Sequence, residues 1–251
     1  MIKFVVIIPA RYASTRFPAK PLAVLGGKPV IQRVYEQATK VFDDVFVATD
    51  NDLIFNCVES FGGRVLMTSP NHKSGTDRCM EAYCKCGVCA DVVVNIQGDE
   101  PFIDPSQLET IKKCFEDSRT QIATLVKPFE SKAPYSEIEN PNSPKVVVDN
   151  DWNAMYFSRS PIPYLRGIDQ SEWSSCHTYF KHIGLYAFRS EVLKQITDMP
   201  QGVLEKAESL EQLRWLQAGY RIKVGVTRIE TVGIDTPQDL EKAEEFLKQK
   251  S

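Results

Sequence analysis

No apolar run in this chain approaches the length of a bilayer span, so a helical membrane protein is not the expected class. An excess of basic residues is missing as well: 30 Lys and Arg face 33 Asp and Glu, for a formal net charge of −3. Nucleic acid usually requires a broad basic face and is therefore not expected as the main partner. The amino end lacks the layout of a secretory signal, because Lys3 precedes only a short apolar run that Pro9-Ala10-Arg11 ends. A cytoplasmic home follows as the expectation. Zinc-type cysteine pairing is incomplete. Among seven cysteines, Cys86-Gly87-Val88-Cys89 has neither a second pair of that spacing nor a histidine just downstream. Reduced, partly buried thiols are expected for it and for Cys79 and Cys84. Internal repeats and flexible linkers are also lacking. The most telling absence is of acid at the start, where the first acidic residue is Glu36.

What is present is an ordinary globular composition, 43% apolar and 25% charged over 251 residues, enough for a substantial core. Apolar runs alternate with amphipathic stretches, the pattern of a parallel sheet covered by helices. Strands are predicted at 4–8, 45–48, 64–67, 92–96 and 122–126, and helices at 30–41, 52–61, 76–84 and 105–115. Beyond residue 127 prolines punctuate a polar segment, followed by a strand at 145–149 and an aromatic-rich stretch at 152–166 that cannot be a regular helix. A strand at 183–188, a helix at 204–218, a strand at 222–226 and a helix at 237–248 complete the reading. The expectation is one α/β domain over 1–251, a mostly parallel Rossmann-like sheet flanked by helices, with an inserted interaction segment near 150–180.

The acid-free start carries Arg11, Arg16 and Lys20 in the loop after the first strand, stiffened by Pro9, Pro18 and Pro21. In open α/β sheets ligands sit beyond the carboxyl ends of such strands. A local cationic zone there suits a polyphosphate. After the strand at 92–96 comes Gln97-Gly98-Asp99-Glu100-Pro101, where Gly98 permits close backbone approach and Asp99 is a candidate for magnesium, with a helix cap as the alternative. Asp235, in Gly233-Ile234-Asp235-Thr236-Pro237, is equally well explained as a helix cap, unless Thr236 caps and Asp235 pairs with Asp99. Asp50-Asn51-Asp52 imitates a metal-binding D-x-D, but capping is favoured at that strand-to-helix turn. Ser74 and Thr76 stand at a helix start that can bind phosphate or a base edge, or merely cap. His182 alone reads as a structural residue.

Taken together, Ile8 to Arg16, His72-x-Ser74-Gly75-Thr76, Gln97 to Pro101, Tyr156-Phe157-Ser158-Arg159, His182 to Tyr186, Leu210 to Arg214 and Gly233 to Pro237 resemble the 3-deoxy-manno-octulosonate cytidylyltransferases. The resemblance implies a nucleotide-diphospho-sugar transferase type of fold, a homodimer with contacts around 152–166, and Mg2+ as cofactor. It implies that CTP is coupled to the acidic sugar Kdo, giving CMP-Kdo and pyrophosphate for lipopolysaccharide synthesis. Ala10, Arg11, Ser14, Arg16 and Lys20 would form the phosphate loop, and Ser74, Arg78 and Gln97 would approach the nucleotide. Asp99 and Asp235 would hold the metal and, with Arg11 and Lys20, carry catalysis. Arg159, His182, Tyr186, Glu211 and Gln212 would line the sugar pocket, Arg159 being suited by its planar fork to the sugar's carboxylate. The chain departs from the family at Ala19, where glycine is common, which argues against a positive φ at that position. Segment 170–177 matches nothing in the family pattern.

Competing readings are a cytidylyltransferase for a sialic-acid-like sugar, a glycosyltransferase built on Asp50 and Asp52, and a protein that binds CTP without turnover.

Overall fold

The computed structural model describes residues 2–13, 16–230 and 233–250, with side chains to residue 248. Contacts divide the chain into two compact units, one of residues 1–109, 187–197 and 231–251, the other of 110–186 and 198–230.

The first unit begins with β1 (Phe4–Ala10), in which Val5, Val6, Ile7 and Ile8 are wholly buried. Burial on both faces is what a continuous apolar run dictates in a parallel sheet. A two-residue turn at Gly26-Gly27, φ 51° and 76°, joins the short strands β2 (Val24–Leu25) and β3 (Lys28–Pro29). Both glycines take the left-handed conformation that tight hairpins need. Next come α1 (Val30–Ala38), β4 (Val45–Thr49), α2 (Asp52–Ser60), β5 (Val65–Met67), α3 (Gly75–Lys85) and β6 (Val92–Asn95). β6, β1, β4 and β5 lie side by side in that order, with β1 parallel to both β6 and β4, and β4 parallel to β5. Their carboxyl ends therefore point one way, and the loops after β1 and β6 emerge together. Gly98 sits in the second of these loops, where an added Cβ would lie 2.8 Å from the Pro9 carbonyl oxygen.

Within α4 (Pro105–Lys113) the chain passes to the second unit. That unit contains β7 (Ile122–Pro128), α5 (Tyr135–Ile138), β8 (Lys145–Val148), β9 (Ala154–Ser158), α6 (Trp173–Cys176) and most of β10 (Phe180–Arg189). β9 is a strand that the sequence reading lacked. It pairs antiparallel with β8, Val146 opposite Phe157, after a turn in which Trp152 has φ 59°. In the otherwise unmatched segment 170–177, Trp173 is buried and stacks on Tyr179. The expected interaction segment near 150–180 lies wholly in this unit.

After α7 (Ser190–Thr197) of the first unit, also absent from the sequence reading, the predicted helix at 204–218 appears as two. These are α8 (Val203–Glu208) and α9 (Gln212–Gln217), separated at Ser209, φ 50° and ψ 46°. The Leu210 amide donates back to the Glu205 carbonyl at 3.3 Å, a left-handed helix ending normally made with glycine. Serine at the break hid it from the sequence pattern. β11 (Ile222–Val226) then pairs parallel with β7, and α10 (Pro237–Lys250) ends the described chain in the first unit. No helix among the described residues is long and apolar enough to cross a membrane.

Candidate active site

In the first unit the loops after β1 and β6 enclose a cavity of about 400 Å³, lined by Ala10, Arg11, Arg16, Lys20, Gln97 and Asp99 among others. That volume falls in the range of small-ligand sites. Six residues singled out in the sequence thus meet in one concavity. Ser14 lies outside the described residues.

The loop after β1 is held by backbone. The Ala19 amide donates to the Tyr12 carbonyl at 2.9 Å, and Ala19 takes φ 56°. The left-handed backbone doubted at this position is present, at the steric cost a Cβ brings there. It delivers Lys20, only 12% exposed at its side chain, into the site.

The Lys20 ammonium donates to Asp99 Oδ2 and, at 3.0 Å, to Asp235 Oδ1, while Arg16 Nη2 lies 3.1 Å from Asp235 Oδ2. Burial alone would lower the Lys20 pKa, but the charge of Asp99 and the bonds from both carboxylates raise it. The pairing of Asp99 with Asp235, which spacing could not supply, is therefore made in the fold. The cap question resolves too. Thr236 and Asp239 form the reciprocal cap of α10, with Thr236 N to Asp239 Oδ2 at 2.9 Å and Asp239 N to Thr236 Oγ1 at 3.2 Å. Asp235 is left to face Lys20, and the Ile234 amide ties its segment to the Asp99 carbonyl at 2.9 Å.

Glu100 was not singled out, although it follows Asp99 directly. Burial first, then the charges of Asp99 and Asp235, push its carboxyl up to about 8. Its Oε2 is buried with no hydrogen-bond partner among the described residues. Two converging carboxylates beside a third acid under such pressure suit a hard divalent cation, which takes one or two protein carboxylates and fills its shell with phosphate and water. Among the described residues no cluster of three or more His, Cys, Asp or Glu could hold a metal alone. Asp99 and Asp235 are thus the residues whose chemistry could hold such a cation.

Arg11 Nη2 is likewise buried without a partner among the described residues, and burial followed by the nearby charge of Arg78 lowers the Arg11 pKa. An anion placed there relieves both penalties. Arg78 itself is wholly buried and does not line the cavity; it reaches Thr68 Oγ1 at 2.5 Å and Asp50 Oδ2 at 2.7 Å. Asp50 is therefore an ion-pair partner. Asn51 caps α2 by accepting from Leu53 N at 3.0 Å, which leaves the D-x-D without a metal geometry. Ser74 caps α3 in a reciprocal box with Asp77, its Oγ accepting from Asp77 N at 3.1 Å, and presents the neighbouring Gly75 to the cavity. All seven cysteines are free thiols.

The five expected sugar residues belong to the second unit. His182 Nε2 lies 3.0 Å from Thr124 Oγ1, its ring against Phe157 and Tyr186, and burial pushes its pKa down to about 3. Tyr186 packs edge-on to Trp215, and its phenol is pushed up by burial and then by Glu211. Glu211 accepts from Arg214 Nη2 at 2.7 Å, and Gln212 is buried with Nε2 lacking a partner among the described residues. Arg159 donates to three backbone carbonyls, those of Glu208 at 2.6 Å, Pro141 at 2.7 Å and Ser209 at 3.3 Å. Each nitrogen of the fork expected to grip the sugar's carboxylate thus already donates one hydrogen bond to backbone.

A cationic cavity of small-ligand size at the carboxyl edge of a parallel sheet, with an acid pair on its lysine, fits a nucleotidyltransferase-type α/β protein. The sequence pattern of the family described as Cytidylyltransferase matches residues 5–224. A 3-deoxy-manno-octulosonate cytidylyltransferase of Bacteroides thetaiotaomicron is 66% identical over 250 residues, covering 100% of both chains. One from Porphyromonas gingivalis is 53% identical over 97% of this chain and 96% of its own. A solved structure of CMP:2-keto-3-deoxy-manno-octonic acid synthetase complexed with CTP superposes with TM-score 0.91 at 42% identity, covering 99% of this chain and 100% of that one. The chain belongs to the 3-deoxy-manno-octulosonate cytidylyltransferase family.

Proposed function

We propose that this chain couples CTP to 3-deoxy-manno-octulosonate, giving CMP-Kdo and pyrophosphate for lipopolysaccharide synthesis. The observation that carries the reading is the convergence of Asp99 and Asp235 on Lys20, beside a cavity lined by Arg11, Arg16 and Gln97. The anomeric hydroxyl of the sugar attacks the α-phosphorus in line, the bond to pyrophosphate breaks, and the hydroxyl's proton passes to solvent. Transfers of this kind rest on positioning and charge neutralisation more than on covalent intermediates.

Arg11, Arg16 and Lys20 neutralise the departing pyrophosphate, and Gln97 with the amino end of α3 holds the nucleotide. Magnesium held by Asp99 and Asp235 would supply further neutralisation and acidify the attacking hydroxyl. His182 is not the base in this scheme, because an imidazole held near 3 takes protons poorly at neutral pH. It serves with Tyr186, Glu211 and Gln212 to orient sugar hydroxyls. A homodimer belongs to the proposal, supported by exposed Met155, Tyr164 and Trp152 in the second unit. So does a cytoplasmic location, where CTP is available.

Competition between acidic sugars tests the substrate assignment. With CTP and Mg2+ fixed, Kdo is expected to support pyrophosphate release, and excess sialic acid is expected not to slow it. Release with sialic acid alone would reassign the sugar.

A further inference from the structure

Arg159 lies at the centre of a backbone latch in the second unit. Its Nε and Nη2 donate to the carbonyls of Glu208 and Ser209, the residues at which α8 ends, and Nη1 donates to Pro141. The Glu208 carboxylate returns the contact, accepting from Arg159 N at 2.8 Å and Ser158 Oγ at 2.7 Å. From below, the wholly buried Lys145 donates to the carbonyls of Asn140, at 3.0 Å, and Arg159. The guanidinium thus ties two other chain segments, at Pro141 and at Glu208-Ser209, to its own.

What they fix is the turn at Ser209. A serine there has no glycine-like freedom, so its left-handed backbone must be held by its surroundings. Two and three residues later come Glu211 and Gln212. Arg214 grips Glu211 at 2.7 Å and approaches Glu205 at 3.4 Å, while Gln212 keeps a buried Nε2 with no partner among the described residues. The amide has no acceptor among the described residues, and its placement depends on how α9 leaves the turn.

We propose that Arg159 is a positioning residue: through the Ser209 turn it sets Glu211 and Gln212 for the sugar, rather than gripping the sugar's carboxylate itself. The inference rests on the proposed reaction. It gives a physical reason for an arginine whose donors point at carbonyls, and it predicts that disturbing the turn reproduces loss of the arginine.

The test compares Arg159→Lys, Ser209→Val, Ser209→Gly and the Arg159→Lys/Ser209→Val double variant, by steady-state kinetics with CTP and Kdo and by direct CTP binding. Valine resists a positive φ, whereas glycine accepts it. Arg159→Lys and Ser209→Val are each expected to lower kcat/KM for Kdo by about 10- to 100-fold, the usual effect of losing a supporting contact. The double variant should fall no further than the worse single one, because both act on one turn. Ser209→Gly should stay near wild type, and CTP affinity should be unchanged throughout. Normal Kdo kinetics in Ser209→Val beside a loss in Arg159→Lys overturns the proposal and makes Arg159 a direct sugar ligand. Additive losses, or equal losses of CTP and sugar binding, overturn it as well. A wild-type chain with no Kdo-dependent turnover would instead remove the reaction on which the proposal stands.

Discussion

Asp235 lies 3.0 Å, through its Oδ1, from the ammonium of Lys20, the same group that Asp99 engages. Two acids from distant stretches of chain meet on one cation, and a third, Glu100, is driven toward neutrality beside them. The meeting of the two carboxylates at one point is the feature on which the proposed metal site rests.

Asp99→Asn and Asp235→Asn should each lower turnover by about 10²- to 10³-fold, the usual effect of removing one element of charge stabilisation. Asparagine keeps the shape, and the α10 cap is made by Thr236 and Asp239, so the melting temperature should hardly move. Mg2+ titration of the CTP complex should show weakened metal binding in both variants. Near-normal turnover in Asp235→Asn would remove that residue from the metal site.

Ala19→Gly should stabilise the protein by about 0.5–1 kcal/mol. Relief of the left-handed strain at φ 56° outweighs the greater freedom glycine gives the unfolded chain. Urea midpoints at constant m-value measure the difference, and a lower midpoint for the glycine variant would contradict it.

Gly98→Ala should act in the opposite direction. The new Cβ would lie 2.8 Å from the Pro9 carbonyl oxygen, which belongs to backbone and cannot rotate away. A loss of about 1–3 kcal/mol is expected from such overpacking. The loops after β1 and β6 would be forced apart, so activity should drop alongside the melting temperature.

Much of this frame was legible in the sequence, and what escaped notice did so for identifiable reasons. β1, β4, β6, β7 and β11 are apolar runs, and burial in a parallel sheet leaves that pattern directly. The acid-free loop marked Arg11, Arg16 and Lys20 because cations without local partners need a ligand or a distant acid. β9 was missed because alternation is blurred by aromatics, and the break at Ser209 because serine hides a turn usually signed by glycine. Gly26-Gly27 did carry the hairpin signal, although the strands beside it are too short to read. Arg78 shows the limit of motif reasoning: its pairing with Asp50 joins residues that nothing in their spacing connects. The same pairing accounts for the D-x-D that imitated a metal site.

His182 gives a pH prediction. Its folded-state pKa of about 3 lies below the ordinary histidine value, so the unfolded chain binds the extra proton first as pH falls. The contribution to stability is therefore complete above about pH 6.5 and is lost progressively toward pH 3. His182→Asn should flatten the stability–pH curve in that window relative to wild type, by up to about 1.4 kcal/mol per pH unit. Parallel curves for the two proteins in guanidinium titrations would contradict the neutral, buried imidazole.

A product balance with purified protein, CTP, Mg2+ and Kdo tests the proposed coupling outright. One pyrophosphate and one CMP-Kdo should appear for each CTP consumed, and omitting the sugar or chelating the metal should stop both. CTP consumption that ignores Kdo, or CTP binding with no pyrophosphate formed, would contradict the account.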